Sequence, residues 1–288
     1  MSITGFTAAG FEPVREAFEQ NFAEGLEHGA SFAAFAGDEL IVDLRGGFAD
    51  RAGEQPWTDT TLCPVYSATK PIGALVIATL VERGKLDYDA PVADYWPEFA
   101  ANGKGAFTVA EALSHQAGVP GFPDPIDPAL WLDPPGLSEA LATLKPMWGR
   151  GGGSGYHPLT WGYIAGELVR RVSKRSLGTI LREDICQPLG IDFWIGLPES
   201  EHERVAQLLK PKAAAQFPHK NEATRAAFLT PWAAANRGAT EWRLAEIPSA
   251  NGHGTAAVFA MAVRAVGVQP TAGTGFQRGL FIVRIDQA

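Results

Sequence analysis

The hydrophobic pattern changes its period along this chain. Apolar side chains recur every three or four positions over residues 11–28, which predicts an amphipathic helix. Two short apolar runs follow, 30–35 and 40–44, and the Gly-Asp link between them predicts a β-hairpin. Near the other end, the pattern predicts a last helix over 255–266 and a strand over 279–286. Strands are therefore expected from both ends of the chain.

The segment after Ser67 is apolar on all sides as far as Arg83, and Gly84 predicts its end. A helix that is apolar around its whole circumference is expected to be buried. Ser67 and Lys70 stand at its start, and positions three apart share one helix face. The lysine amine can therefore lie beside the serine hydroxyl and take its proton.

Other segments suggest what surrounds this helix. The sequence Thr108-Val109-Ala110-Glu111 is a capping box that predicts a short helix to His115. Residues 118–136 are rich in proline and predict a long surface loop, a type of segment that often forms a pocket wall. A further helix is predicted from Pro158 to about Ser173.

Composition and charge narrow the class of protein. The 288 residues are 46% hydrophobic and 19% charged, which is ordinary for a globular protein. A net charge of −8 argues against nucleic acid or an anionic membrane as the main partner. We find neither a signal-peptide pattern nor a membrane-spanning apolar run, so a cytoplasmic location is expected. Cys63 and Cys186 are then expected to be buried, reduced thiols.

Six segments, in this order and at these spacings, resemble class C β-lactamases and, most of all, the related family VIII serine carboxylesterases. They are 66–71, with the S-x-x-K motif, then 84–92, 113–119, 156–162, 188–191 and 251–256. The resemblance implies an α/β (α+β) fold of the penicillin-binding-protein type. An antiparallel sheet flanked by helices would form one lobe from residues 1–66 and 250–288. Residues 67–249 would form a mainly helical region that carries the nucleophile helix and one wall of the cleft.

The resemblance is incomplete at the C-terminal end, where the family has a third motif on a sheet strand. Gly273-Thr274-Gly275, followed by the strand 279–286, is one possible short substitute. The other interpretation, which we favour, is that the usual end of the sheet is missing and its C-terminal strands are reduced. Exposed sheet edges promote pairing between chains, so a homodimer is one expected repair.

Three residues are the candidates for the chemistry. Ser67 is the candidate nucleophile, although serine also caps helices. Lys70 is the candidate base, and lowering its pKa from ~10.4 to ~7 by burial would cost roughly 4.6 kcal/mol. By resemblance, Tyr156 is a second base or proton shuttle, although it also fits a packed aromatic before a helix. Together they would form and hydrolyse an acyl-enzyme on Ser67.

Four further residues are candidates for substrate binding: His157, His253, Phe122 and Trp131. Each also has an ordinary structural interpretation, as a helix-end histidine or as a packed aromatic ring. We expect no metal and no cofactor, because no Cys/His cluster or nucleotide-binding glycine motif is present. The expected function is hydrolysis of a small-molecule ester. The alternatives are a β-lactamase or D-amino-acid peptidase, and a non-catalytic binding or assembly protein on a hydrolase scaffold.

Overall fold

The computed structural model describes residues 2–209, 221–228, 239–258 and 280–286. Each of the four ranges contains at least one helix or strand. The strands are β1 (Ile3–Thr7), β2 (Glu27–Ala36), β3 (Glu39–Gly47), β4 (Cys63–Pro64), β5 (Phe193–Ile195), β6 (Gly252–Gly254) and β7 (Leu280–Asp286). The α-helices are α1 (Glu12–Ala23), α2 (Thr69–Glu82), α3 (Val92–Tyr95), α4 (Val109–Leu113), α5 (Pro134–Thr143), α6 (Thr160–Ser173), α7 (Leu177–Ile180), α8 (Gln187–Leu189), α9 (Glu222–Phe228) and α10 (Thr240–Leu244). Tighter 3-10 turns occupy Tyr66–Ala68, Pro97–Gly103, Pro128–Leu132 and Glu199–Arg204, and a π-helical turn occupies Leu181–Cys186.

The main sheet is antiparallel, with the strand order β1-β3-β2-β7. The predicted hairpin is confirmed as β2 and β3, and the predicted C-terminal strand is confirmed as β7, which pairs with β2. The α1 side chain Phe18 packs against Phe32, Val42 and Leu44 of the sheet. β1 was not predicted, because its residues are mostly exposed and show no apolar run. Among the described residues, β1 and β7 are the edge strands of this sheet. The homodimer stays a prediction.

Helix α2 lies in the larger core, as its uniformly apolar sequence predicted. Ile72, Val76 and Ile77 are buried, and a side chain at Gly73 would come within 3.1 Å of the Trp161 ring on α6. This close approach explains a glycine inside a helix, where its conformational freedom is otherwise destabilising. The helix ends at Glu82, and Gly84 follows with a φ of +64°, as predicted.

Helix α5 corrects the prediction of a loop over residues 118–136. The loop contains a 3-10 turn and ends where α5 begins at Pro134. Proline is favoured in the first turn of a helix, so a proline-rich stretch can mark a helix start as well as a loop. The capping box predicted at Thr108 and Glu111 is confirmed at the start of α4.

A buried lysine, Lys104, donates hydrogen bonds at the C-terminal end of α5. Lys104 donates from Nζ to the carbonyl oxygens of Ala101, Ala142 and Leu144 at 2.8, 3.0 and 2.5 Å. Two of these carbonyls close the last turn of α5, whose terminal carbonyls have no partner within the helix. Lys104 therefore acts as a cap for this helix end.

A second antiparallel sheet has the order β4-β6-β5 and lies beside the start of α2. Its strand β5 falls inside the segment predicted to be mainly helical, and the predicted division into lobes stays a prediction. The predicted last helix begins within 256–258, but its residues 259–266 lie outside the described residues, as do Gly273 to Gly275.

Two expectations about the protein's setting can be compared with the described residues. Cys63 and Cys186 are both buried and unpaired, as predicted. None of the described helices is both long enough and apolar enough to cross a bilayer. The cytoplasmic location stays a prediction.

Candidate active site

Ser67 lies at the tip of the short turn that leads into α2. Its side chain is exposed, in contrast to Thr69 and Lys70, which directly follow on the buried helix. The preceding residue, Tyr66, has a φ of 47°, which is unusual for any residue other than glycine. The chain thus turns sharply into the helix at the point where the serine is presented to solvent.

The amine of Lys70 lies directly behind this serine. Nζ is 3.3 Å from the Ser67 hydroxyl oxygen, and it also donates to the carbonyl oxygens of Pro158 at 2.7 Å and Ser249 at 3.0 Å. The Lys70 side chain is only 8% exposed. Three contacts therefore hold the amine in one place, and only one of them is to a group that can give up a proton.

Burial lowers the pKa of Lys70 to about 7. The first turn of a helix also disfavours positive charge, because the unpaired N–H groups point there. A neutral amine has two N–H donors and one lone pair. The two donors match the carbonyls of Pro158 and Ser249, which leaves the lone pair for the Ser67 hydroxyl proton. The site thus has the geometry that a general base requires.

Tyr156 is brought to the same place. The Lys70 Nζ lies 4.8 Å from the centroid of the Tyr156 ring, and the ring is also in contact with His115 and stacked on Phe228 of α9. The tyrosine is 41% exposed, so it borders the solvent side of the site. No hydrogen bond of its hydroxyl occurs among the described residues, and its role in proton transfer stays a prediction.

His157 is buried beneath the site rather than exposed within it. Its Nε2 accepts from the Val119 N–H at 3.1 Å, which leaves Nδ1 to donate to the Gly155 carbonyl oxygen at 2.5 Å. Burial lowers the pKa of His157 to about 4, so the ring is neutral. Both ring nitrogens hold backbone groups, and this geometry gives the prediction of substrate binding no support.

His115 completes this arrangement, at the position where the short helix was predicted to end. It follows α4 with a φ of 68°, and its Nδ1 accepts from the His157 backbone N–H at 3.2 Å. Its ring also meets Tyr156 edge to face, at 4.9 Å between centroids. His115 therefore links the end of α4 to Tyr156 and His157, which lie in the segment leading to α6.

The other three candidates for substrate binding are also buried. Phe122 and Trp131 pack edge to face in the helical core, 5.8 Å apart. His253 lies on β6 against Trp242, and it lines a cavity of about 260 Å³ with Trp242 and Arg243. All three rings are buried, and their contact with a substrate stays a prediction.

Sequence reasoning missed the groups that hold the amine. The carbonyls of Pro158 and Ser249 carry no residue-specific signal, because every residue has one. Asn251 offers a signal: its side-chain amide donates to the carbonyls of Trp242 and Ala245 and accepts from the Ile247 N–H. This amide shapes the segment that contains Ser249. Within the described ranges, no group of three His, Cys, Asp or Glu side chains is placed to hold a metal ion.

An antiparallel sheet, a helical region and a serine–lysine pair at the start of a buried helix together define a protein of the β-lactamase and penicillin-binding-protein class. Comparison with known proteins agrees with this class and identifies the family. The family model described as Beta-lactamase matches residues 17–275. The chain belongs to this family.

Three relatives illustrate the similarity. "Esterase/beta-lactamase LipL" of Mycobacterium tuberculosis is 36% identical over 264 residues, which are 87% of this chain and 61% of that protein. This chain therefore spans about three fifths of that curated relative. A penicillin-binding-protein homologue from Caulobacter crescentus superposes with a TM-score of 0.85 at 56% identity, covering 88% of this chain and 68% of that one. A family VIII carboxylesterase superposes with a TM-score of 0.82 at 43% identity, covering 88% and 69%.

Proposed function

We propose that this chain is a serine hydrolase that cleaves small carboxylic esters through an acyl-enzyme on Ser67. The observation that carries the proposal is the contact between the exposed Ser67 hydroxyl and the buried Lys70 amine, at 3.3 Å. With the pKa of Lys70 lowered to about 7, about half of the amines are neutral at neutral pH. A weak nucleophile beside such a base is the usual arrangement for covalent catalysis.

The proposed reaction has two halves. In the first, the Lys70 amine takes the Ser67 hydroxyl proton while the serine oxygen bonds to the ester carbonyl carbon. The proton then passes to the departing alcohol as its bond to the carbonyl breaks. In the second half, water attacks the acyl-enzyme and gives a proton to the amine, which returns it to Ser67 as the acid leaves. Tyr156 is proposed to shuttle the proton on the solvent side.

Charge on the attacked oxygen also needs stabilisation. The backbone N–H of Ser67, at the start of α2, is the proposed first donor, because helix starts carry unpaired N–H groups. The second donor is proposed to come from the C-terminal part of the chain.

Ester specificity is supported by the names of relatives. One is named an esterase and β-lactamase, and one structural relative is a family VIII carboxylesterase. β-Lactam hydrolysis is the second candidate, favoured by the same first name and by the similarity to a penicillin-binding-protein homologue. Turnover of nitrocefin at a rate above that of a short-chain ester would favour it.

The proposal is tested with a short-chain p-nitrophenyl ester. We expect Ser67→Ala to lower kcat by about 10³-fold or more, because the covalent intermediate can no longer form. Tyr156→Phe is expected to lower kcat by about 10²-fold, the typical contribution of a proton-transfer group. Both are measured as initial rates with folded protein confirmed by circular dichroism.

Matched controls for these variants lie on the surface. Ser200 is an exposed serine and Tyr88 is a tyrosine with a similar exposure to Tyr156, at 39%. Ser200→Ala and Tyr88→Phe should retain the wild-type rate. A folded wild-type protein that neither turns over the ester nor reacts with a fluorophosphonate probe would instead favour a non-catalytic binding or assembly protein.

A further inference from the structure

The hydroxyl of Thr69, the first residue of α2, joins two separate parts of the chain. It donates to the carbonyl oxygen of Tyr66 at 2.5 Å and accepts from the backbone N–H of Gly252 at 2.8 Å. A hydroxyl has one proton to donate, and here that proton is used. Thr69 is completely buried, so water does not compete for these contacts. The hydroxyl is therefore a fixed link and not a surface group.

Both ends of this link lead to the catalytic pair. Tyr66 immediately precedes Ser67, and its left-handed backbone conformation is one that costs about 1–2 kcal/mol for an L-residue. Gly252 lies three residues after Ser249, whose carbonyl oxygen holds the Lys70 amine. The Thr69 hydroxyl thus ties the turn that presents the nucleophile to the segment that holds the base.

The glycine at position 252 shows how closely the two parts approach. A Cβ atom added there would lie 2.7 Å from the Thr69 hydroxyl oxygen and 2.6 Å from the Phe193 ring. Real Cβ atoms do not come this near to other heavy atoms, so a larger residue would separate β6 from the start of α2. The backbone contact between the Val65 N–H and the Gly252 carbonyl oxygen, at 2.8 Å, depends on the same approach.

We propose that Thr69 is a positioning residue that sets the contact between Ser67 and Lys70. Its hydroxyl holds Tyr66 in the left-handed conformation and so aims the serine oxygen at the amine. It makes no proposed contact with substrate or with the reacting atoms. The inference rests on the proposed function, because it assigns a role within the serine–lysine chemistry.

Three threonine variants test this role. Thr69→Val keeps the side-chain shape but leaves the buried Gly252 N–H without its acceptor and releases the Tyr66 carbonyl. We expect kcat for a p-nitrophenyl ester to fall by about 10–100-fold with KM nearly unchanged, since a displacement of about 1 Å can cost 10²-fold. Thr69→Ser restores the hydroxyl and should recover most of kcat. Thr79→Val is the control, because among the described residues the Thr79 hydroxyl bonds only within α2, to the Leu75 carbonyl oxygen.

Several results would overturn the inference. They are an unchanged kcat in Thr69→Val, an equal loss in Thr69→Val and Thr69→Ser, or an equal loss in Thr79→Val. If Thr69 had only a structural role, Thr69→Val would lower thermal stability but would not lower kcat while leaving KM nearly unchanged. If Thr69→Val does not fold, the values of kcat for Thr69→Ala and Thr69→Ser are compared instead, because only the second keeps the hydroxyl.

A second measurement separates this inference from the proposed substrate. The rate at which a fluorophosphonate labels Ser67 depends on the nucleophile and its base, but not on ester turnover. If the wild-type protein is labelled but hydrolyses no ester, the proposed substrate is wrong. The positioning role then stands if Thr69→Val is labelled about 10–100-fold more slowly than Thr69→Ser, and it fails if the two rates are equal.

Discussion

Two buried lysines in this protein have the same kind of surroundings but different third partners. The Lys70 amine contacts two backbone carbonyls and one serine hydroxyl, whereas the Lys104 amine contacts three backbone carbonyls. Each also lies over an aromatic ring, that of Tyr156 or that of Phe99. Burial lowers the pKa of both amines, to about 7 and about 8. Burial alone therefore does not make a lysine a base.

The third partner determines what each amine can do. A carbonyl oxygen can only accept a hydrogen bond. The lone pair of a neutral Lys104 amine would therefore face a lone pair of one of its three carbonyl oxygens. A serine hydroxyl can reverse its role and donate, so neutral Lys70 keeps all of its contacts. The helix dipoles add to this difference between the two amines. Lys70 is in the first turn of α2, where positive charge is disfavoured. Lys104 is at the carbonyl end of α5, where positive charge is favoured.

Replacing each lysine by methionine should separate the two roles most strongly. We expect Lys70→Met to lower kcat on a p-nitrophenyl ester by about 10³-fold or more, because the proposed general base is lost. Lys104→Met should retain kcat but lower the free energy of unfolding by about 2–4 kcal/mol, because three carbonyls lose their donor. Initial rates and urea unfolding measure the two effects.

The exposed Lys85 provides the matched control, and Lys85→Met should change neither quantity. The contrast between the two sites would be wrong if Lys104→Met lost activity as completely as Lys70→Met while still folded. It would also be wrong if Lys70→Met kept its turnover.

The pH dependence of catalysis should follow Lys70. Only the neutral amine accepts a proton, so kcat/KM should rise with pH and level off above a pKa of about 7. Below that value we expect a fall of about tenfold per pH unit. The profile is measured with a substrate that does not itself ionise between pH 5 and 9. A flat profile over this range would exclude Lys70 as the base.

The smallest expected effect is on stability, and it follows Lys104. Its pKa is about 8 in the folded protein and has its ordinary value of 10.5 in the unfolded chain, so between these values the unfolded chain binds more protons. The free energy of unfolding should therefore rise with pH across this window. Lys70 contributes a slope of the same sign from about pH 7. Urea unfolding at several pH values should show a shallower rise in Lys104→Met, and an identical slope would contradict the lowered pKa of Lys104.

Side-chain patterns predicted helix α2 well, but they did not predict the contacts made by Lys70 at its start. The apolar circumference of α2 predicted a buried helix, and Gly84 predicted its end, because periodicity and glycine report on burial and helix termination. The carbonyls that hold Lys70 come from Pro158 and Ser249, far apart in sequence. Lys104 stands in a polar, glycine-containing stretch that indicates an exposed loop. Which backbone oxygens meet an amine is decided by the tertiary fold.

The aromatic and histidine candidates show a second limit of the sequence. A ring in a loop can border a pocket or fill a core, and its local pattern is the same in both cases. Phe122 and Trp131 pack against each other in the core, although the proline-rich pattern around them indicated a surface loop. His157 lies next to Tyr156, yet its ring holds two backbone groups instead of facing solvent. The distinction needs the packing of several elements at once.

The pairing of β2 with β7 has a consequence for how this protein is made. Phe32 lies opposite Ile282, so the central hairpin gains its neighbour from about 250 residues further along the chain. During synthesis, this side of β2 stays unpaired until β7 has been made. Until then its backbone N–H and C=O groups can pair with strands of other chains. The helical core around α2 draws on nearer segments and can assemble sooner. Completion of the sheet is therefore expected to be a late step, and the one most exposed to aggregation.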